Sequence, residues 1–333
     1  MRLLVLGGTH HVGRAVVETA LDRGDTVTTL TRGISGPPAP GASPLYADRT
    51  DLAALGTALA DGEWDAVIDT WSGAPRAVRD AAALLAGRVG HYGLVSSRSV
   101  YRWPIPPGLD EGAPVVDGDP DDSADDDYAA AKRGGELAAQ RAFGDAALLA
   151  RAGLILGPYE IVGRLPWWLR RLERGGQVLA PGPEDRPLQY IDARDLAIWM
   201  LAAADRGIGG AFNVVSQPGH ATMSSLLESG RAVTKSDAEL IWVTPGEVEE
   251  AGIQAWTDLP IWAPPTGELA GLHDGDVSAA YREGLSCRTV EGTVADTWEW
   301  MVTEGEPAPP ERYPPLGLDP DREREVLNRH LAR

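Results

Sequence analysis

Lysine is almost missing from this chain. Of its 30 basic residues only Lys132 and Lys235 are lysines, which leaves 28 arginines. Cysteine occurs once, as Cys287. A single cysteine excludes an internal disulfide and any cysteine-built metal site, and it points to a reducing, cytoplasmic setting. Positive charge is outweighed: 30 basic against 49 acidic residues give a formal net charge of -19. Such a chain repels nucleic-acid phosphates and anionic membrane surfaces, so neither is expected as a partner. Long hydrophobic runs are also lacking. The opening MRLLVLGG keeps a signal-like pattern for only six residues before Gly, Thr and His interrupt it. That is too short for a secretion signal and suits a buried first strand. No run reaches the roughly 18 apolar residues of a membrane-spanning helix.

What remains is ordinary for a globular protein: 333 residues, 43% hydrophobic and 24% charged. That length supports one large domain or two smaller ones. In the first half, strand-like and helix-like patterns succeed one another. Leu3 to Leu6, Thr26 to Thr31, Pro44 to Ala47, Asp65 to Thr70, Tyr92 to Ser96 and Ala146 to Leu156 read as strands. Val12 to Asp22, Leu52 to Ala60, Val78 to Leu85 and Asp125 to Phe143 read as helices. This succession predicts βαβ units and a parallel sheet with right-handed crossovers. Residues 102 to 127, rich in Pro, Gly and Asp, read as a loop. After Gly157 the texture changes, with Trp167, Trp168, Trp242, Trp256 and Trp262 and proline clusters at 260–265 and 307–315. A final helix is expected over Asp319 to Ala332. The expected architecture is α/β: a Rossmann-type doubly wound parallel sheet plus a smaller, irregular α+β substrate domain. Residues 1–156, with 188–216 returning, would form the first, and residues 157–187 and 217–333 the second.

The stretch VLGGTHHVGR puts Gly7, Gly8 and Gly13 between the first strand and the first helix. There, backbone N–H groups and a helix N-terminus favour a pyrophosphate. Gly7, Gly8, Thr9, His10, Val12 and Gly13 are the expected contacts of a dinucleotide. The usual spacing has glycine at position 10, so His10 either turns outward or donates to a phosphate. His10 and His11 diverge as chain neighbours and do not make a metal site. The second strand ends at Thr31-Arg32 without the acid that normally accepts from the ribose 2′-hydroxyl. Arg32 is placed for a 2′-phosphate, so NADP is preferred over NAD, with Asp48 expected near the adenine.

Tyr128 and Lys132 stand four apart on an expected helix, hence on one face. A compact ammonium beside a phenol lowers the phenol's pKa from about 10 and equips it for acid/base work on a carbinol or carbonyl. Arginine offers a broader, planar charge of different reach, which explains a lysine in an arginine-rich chain. The strand ending LVSSRSVY brings Ser96, Ser97 and Ser99 to its carboxyl end, where ligands bind in such sheets.

These motifs, GGTHHVG, SSRSVY, YAAAK with Glu136 following, RAGLILGP and QYIDARDLA, run in order over residues 1–200. Together they resemble an extended short-chain dehydrogenase/reductase of the NAD-dependent epimerase/dehydratase type, and most resemble an actinobacterial reductase-like subgroup. The resemblance implies Ser97 as the hydroxyl orienting the substrate, Tyr128 as acid/base, and Lys132 holding the nicotinamide ribose. It implies Trp71 and Ser72 beside the cofactor, Ser99, Trp168, Gln189 and Tyr190 toward the substrate, and a homodimer. It thins after residue 220. Where hexose dehydratases of the family carry Thr-Asp-Glu, this chain has Ser97, Arg98 and Ser99, which argues against that dehydration. Where nucleotide-sugar epimerases place a diphosphate-clamping arginine, it has Leu188, with Arg186 as a substitute two residues earlier.

The loop from Asp110 to Asp127 holds nine carboxylates in 18 residues. Without ligand-loop spacing it reads as a solvated, mobile lid held extended by repulsion, and no metal is expected. The tryptophans could form an aromatic wall or simply core, and Arg151 and Arg170 could meet an anionic substrate. Three functions follow: an NAD(P)-dependent oxidoreductase acting on a small molecule, a sugar or nucleotide-sugar epimerase with tightly held cofactor, or a non-catalytic NADP-binding protein.

Overall fold

The computed structural model describes residues 1–306 and 315–332. Six strands, β1 (Arg2–Leu6), β2 (Thr26–Thr31), β3 (Ser43–Tyr46), β4 (Ala66–Asp69), β5 (His91–Ser97) and β6 (Ala147–Ala152), are interleaved with four helices. These are α1 (His11–Asp22), α2 (Leu52–Leu59), α3 (Pro75–Leu85) and α4 (Tyr128–Phe143). Next come β7 (Leu154–Leu156), α5 (Arg164–Glu173), β8 (Gln177–Pro181), β9 (Pro187–Leu188), β10 (Tyr190–Asp192), α6 (Ala193–Arg206) and β11 (Gly210–Val214). The last are β12 (Ala221–Thr222), α7 (Met223–Thr234), β13 (Glu239–Val243), α8 (Pro245–Glu250), α9 (Ser278–Arg282), α10 (Val290–Thr303) and α11 (Pro320–Leu331).

A seven-stranded sheet runs in the order β11-β6-β5-β4-β1-β2-β3, every neighbouring pair parallel. Successive residues of a strand point to opposite faces. Leu3, Val5, Ile68 and Leu148 therefore pack under α1 and α6, while Leu4, Leu6, Val67 and Leu149 pack under α3 and α4. Burial on both faces is why these strands are continuously apolar. The order reverses between β1 and β4, which opens a crevice at their carboxyl ends. Gly7 and Thr70, the residues that follow those two strands, stand at its mouth.

The expected strand Ala146 to Leu156 is broken. β6 stays in the main sheet, while β7 leaves it to pair with β10. Gly153 is the joint: a Cβ there would stand 2.6 Å from Val215 Cγ2. Beyond it, Leu165, Trp168, Leu169 and Leu172 recur at helical spacing on α5 and pack with α7 and α10 in a separate core. Of the proline cluster at 307–315 only Pro315 lies within the described residues, as do residues 217–306 and 315–332 of the expected second domain. Among the described residues no helix is long and apolar enough to cross a membrane.

The acidic loop is not extended. Val116 N donates to Val100 O (2.8 Å) and Arg102 N to Pro114 O (2.9 Å). Val100, Tyr101, Ile105 and Leu109 make a small core beneath it. Asp121 pairs with Arg79 at 2.7 Å and Arg141 at 3.6 Å, while Asp110, Asp119, Asp122 and Asp127 accept from backbone N–H groups of the loop and of α4. The loop presses on α4 at Gly134, where a Cβ would lie 2.5 Å from Asp119 O and 2.7 Å from Pro75 Cγ. Glycine in mid-helix costs up to about 1 kcal/mol, and this crossing is the reason for it.

Candidate active site

Two adjoining cavities lie at the carboxyl ends of the strands. The first, of about 380 Å³, is lined by the Gly7–Gly13 turn, Thr31, Arg32, Arg49, Thr70, Trp71, Ser72, Ser97, Tyr128 and Lys132. Among the described residues no aspartate or glutamate lines it, and its charged residues are Arg32, Arg49 and Lys132. Gly7 and Gly8 adopt φ of +126° and +116°, a region open to glycine. A Cβ on Gly7 would collide with Thr70 Oγ1, and one on Gly13 would stand 2.6 Å from Gly8 N. The missing side chains thus create a cradle in front of the α1 N-terminus, and a pyrophosphate fits this donor set. His10 holds the N-cap position of α1 in ordinary extended backbone (φ -128°, ψ 150°), with its side chain exposed at the rim of the cavity. Val12 is buried beneath the turn.

Asp127 opens α4 by accepting from Ala130 N (3.0 Å), which sets Tyr128 in the first turn and Lys132 one turn later. Lys132 is buried, and its Nζ donates to Trp71 O (2.7 Å) and Val95 O (2.8 Å). Burial depresses its pKa to about 8, against the pull of Asp69 and Glu136. Tyr128 is 48% accessible, yet it stands in the cleft between the two cavities, where its ionised form is poorly hydrated. Desolvation therefore pushes the phenol above its ordinary value, opposed by a hydrogen bond with Ser97 and the charge of Arg164. This corrects the expected electrostatics. Lys132 lies 5.9 Å from the Tyr128 ring centroid and spends its donors on backbone carbonyls; the charge that favours phenolate comes from Arg164. Ser97 caps the turn 98–100, accepting from Ser99 N and donating to Ser99 Oγ, both at 3.1 Å.

The second cavity, of about 630 Å³, shares Ser72, Ser97 and Tyr128 and adds Ser99, Gln189, Arg98, Arg164, Glu160, Trp103 and Trp256. Several expected contacts are elsewhere. Trp168 is 1% exposed, faces the second core from α5 and donates Nε1 to Pro260 O at 2.6 Å. Tyr190 points to the same core from β10, edge-on to His220. Asp48 is exposed and outside the cavity lining, its carboxylate turned onto Thr50 N (2.9 Å) and Oγ1 (2.7 Å). Gln189 reaches the cavity wall but its amide is engaged by Arg98, Gly275 and Ser216. Arg186 does not replace the missing clamp, since it donates to the carbonyls of Ala263, Pro264 and Ala270, and Leu188 is buried. Arg151 is locked to Glu136 (2.9 and 3.0 Å), and Arg170 pairs with Glu173 and Glu306 outside both cavities.

Sequence reasoning missed the floor of the cofactor cavity. Arg49 forks onto Asp69 at 2.6 and 2.8 Å, Tyr92 OH donates to Asp69 at 2.5 Å, and Trp71 N donates to it at 2.9 Å. The Arg49 guanidinium lies 4.9 Å from the Trp71 ring centroid and so holds that indole at the cavity wall. The available signal was a lone acid ending the apolar run Ala66–Asp69. His11, Glu160 and Arg164 were also missed. Glu160 is buried, accepts from Arg164 N (2.8 Å) and Leu165 N (3.2 Å), and burial raises its pKa to about 7.

The model of the NAD dependent epimerase/dehydratase family matches residues 3–214, well over half of the chain. No curated protein sequence matches. Solved structures share the fold at low identity. The Bordetella bronchiseptica enzyme WbmH in complex with NAD+ is 17% identical with a TM-score of 0.68, over 91% of this chain and 99% of that one. The UDP-glucuronic acid 4-epimerase of Bacillus cereus in complex with NAD is 13% identical with a TM-score of 0.64, over 92% and 100%. The UDP-glucose 4-epimerase of Thermotoga maritima, with UDP-glucose, is 17% identical with a TM-score of 0.64, over 92% and 100%.

Proposed function

The chain belongs to the NAD dependent epimerase/dehydratase family and is an enzyme of the extended short-chain dehydrogenase/reductase type; we propose that it reduces a carbonyl of a small molecule with NADPH. The observation that carries this reading is the meeting of Ser97, Tyr128 and Lys132 where the phosphate cradle opens into the second cavity. When bound, the nicotinamide supplies the hydride. The Gly7–Gly13 turn holds the pyrophosphate, and Arg32 takes the 2′-phosphate in a cavity wall without carboxylates. Lys132 and the Trp71 backbone border the nicotinamide ribose. Ser97 orients the substrate oxygen and Tyr128 gives it a proton. A phenol held protonated by desolvation suits that direction, a general acid for a carbonyl becoming a carbinol.

A fluorescence titration of purified protein with NADPH and NADH tests the cofactor assignment. NADPH should bind tighter, and Arg32→Ala should erase the difference. Equal affinities in the unchanged protein would refute the NADP preference. The family also holds epimerases, which keep their nucleotide through purification. Nucleotide released on denaturing freshly purified protein would favour that second reading. The proposal includes a cytoplasmic setting and a homodimer, the latter checked by sedimentation.

A further inference from the structure

The position of the Lys132 ammonium is set by groups outside its own helix. Its Nζ is tied to Val95 O on β5 (2.8 Å) and to Trp71 O beyond β4 (2.7 Å). An ammonium carries three N–H groups at tetrahedral angles, so two committed bonds fix the direction of the third. That third N–H has no protein acceptor among the described residues, and Lys132 lines the cofactor cavity. The two carbonyls differ in support. Val95 is held in the sheet opposite Ala150 of β6. Trp71 lies between the end of β4 and the start of α3, outside every strand.

Other anchors replace the sheet at Trp71. Its N–H donates to Asp69 Oδ1 at 2.9 Å and its indole Nε1 to Ala74 O at 2.8 Å, while the Arg49 guanidinium lies 4.9 Å from the ring centroid. Gly73 leaves room for the indole to fold back, since a Cβ there would stand 3.1 Å from Trp71 Cζ2. Asp69 is fully buried and held on both oxygens, by Arg49 at 2.6 and 2.8 Å and by Tyr92 OH at 2.5 Å. The four acceptor sites of the carboxylate are thus filled, the last by Trp71 N. Stability alone does not require this, because apolar residues of similar volume often replace a buried ion pair at little cost. Such residues have no acceptor for Trp71 N.

We propose that Asp69 is a positioning residue: clamped by Arg49 and Tyr92, it fixes Trp71, and through the Trp71 carbonyl it aims the third N–H of Lys132 into the cofactor cavity. That this N–H meets the nicotinamide ribose rests on the reductase reading above; the anchoring does not. The charges acting on the ammonium are those of Asp69 and Glu136, which favour it, and of Arg49, which opposes it. Removing Asp69 and Arg49 together therefore takes away charges of opposite sign, and the principal change is the acceptor for Trp71 N.

The test exploits a chain with two lysines. Reductive methylation of the full chain with isotope-labelled formaldehyde, read by peptide mass spectrometry, reports Lys132 against the exposed Lys235. Lys132, 6% exposed, should be protected in the unmodified protein. In Arg49→Met/Asp69→Leu the acceptor is gone, and Lys132 labelling relative to Lys235 should rise about tenfold or more, as expected for losing one hydrogen bond to a charged group. Arg49→Met/Asp69→Asn lacks the same charges but keeps an acceptor, and its labelling should stay within about threefold of the unmodified protein. Far-ultraviolet circular dichroism checks that both variants fold. Unchanged protection in the folded Leu variant overturns the proposal, and so does a tenfold rise in the Asn variant. NADPH titration of the same samples is scored apart: an unmodified protein that binds no NADPH refutes the reductase reading and leaves the labelling result standing.

Discussion

Replacing Lys132 by methionine separates charge from packing at the centre of the site. Two terms oppose each other. The drop of the Lys132 pKa from 10.5 to about 8 means that holding the ammonium in its buried slot costs about 3 kcal/mol at pH 7. Methionine removes that penalty. It also strips an ionised donor from the carbonyls of Trp71 and Val95, at about 1.5–3 kcal/mol each. Lys132→Met should therefore fold, with a net loss of about 0–3 kcal/mol at pH 7. The pH dependence is sharper. The folded pKa lies below the unfolded one, so between pH 8 and 10.5 the unfolded chain binds more protons and stability rises with pH. The unmodified protein should gain about 3 kcal/mol across that window relative to Lys132→Met. Urea unfolding of both proteins at half-unit intervals from pH 7 to 10 measures the difference. Parallel stability curves over that range would refute the buried, ionised lysine and with it the account of why this chain keeps a lysine at 132.

Three further outcomes follow from the same geometry. Tyr128→Phe should lower turnover at least about a hundredfold while NADPH affinity stays within about twofold, since the hydroxyl serves the proton and not the nucleotide; retained turnover with a carbonyl substrate speaks against Tyr128 as the acid. Glu160 carries a raised folded pKa of about 7 against 4.5, so the native state holds the extra proton and stability falls by about 3 kcal/mol as pH climbs from 4.5 to 7. Glu160→Gln should lack that slope, and denaturant midpoints at pH 5 and 7.5 reveal whether it does. Asp69→Asn should destabilise by about 3–5 kcal/mol, because it leaves the buried Arg49 charge without its carboxylate. Most of that loss should return in Arg49→Met/Asp69→Leu, and a double variant no more stable than the single one contradicts the pairing.

The sheet, the glycine turn and the Tyr128–Lys132 face were legible from residue order, because period, turn chemistry and spacing are local properties of a chain. The strands buried on both faces wrote themselves as apolar runs, and Gly7, Gly8 and Gly13 marked a turn that needs open φ and missing Cβ atoms. Residues whose meaning depends on a distant partner were not legible. Trp168 and Tyr190 sit near site motifs in sequence, but helix phase and strand alternation turn them into the second core. Arg151 and Arg186 read as free cations until Glu136 and three backbone carbonyls are brought to them. Arg49 and Asp69, 20 residues apart, meet only because β4 lies beside β1 in the sheet. The chain's order thus determined the fold and the shared helix face of Tyr128 and Lys132 by itself. Tertiary structure alone decided which arginines are spent on partners and brought the Arg164 charge to Tyr128, because a charge is spent or available according to what folding packs against it.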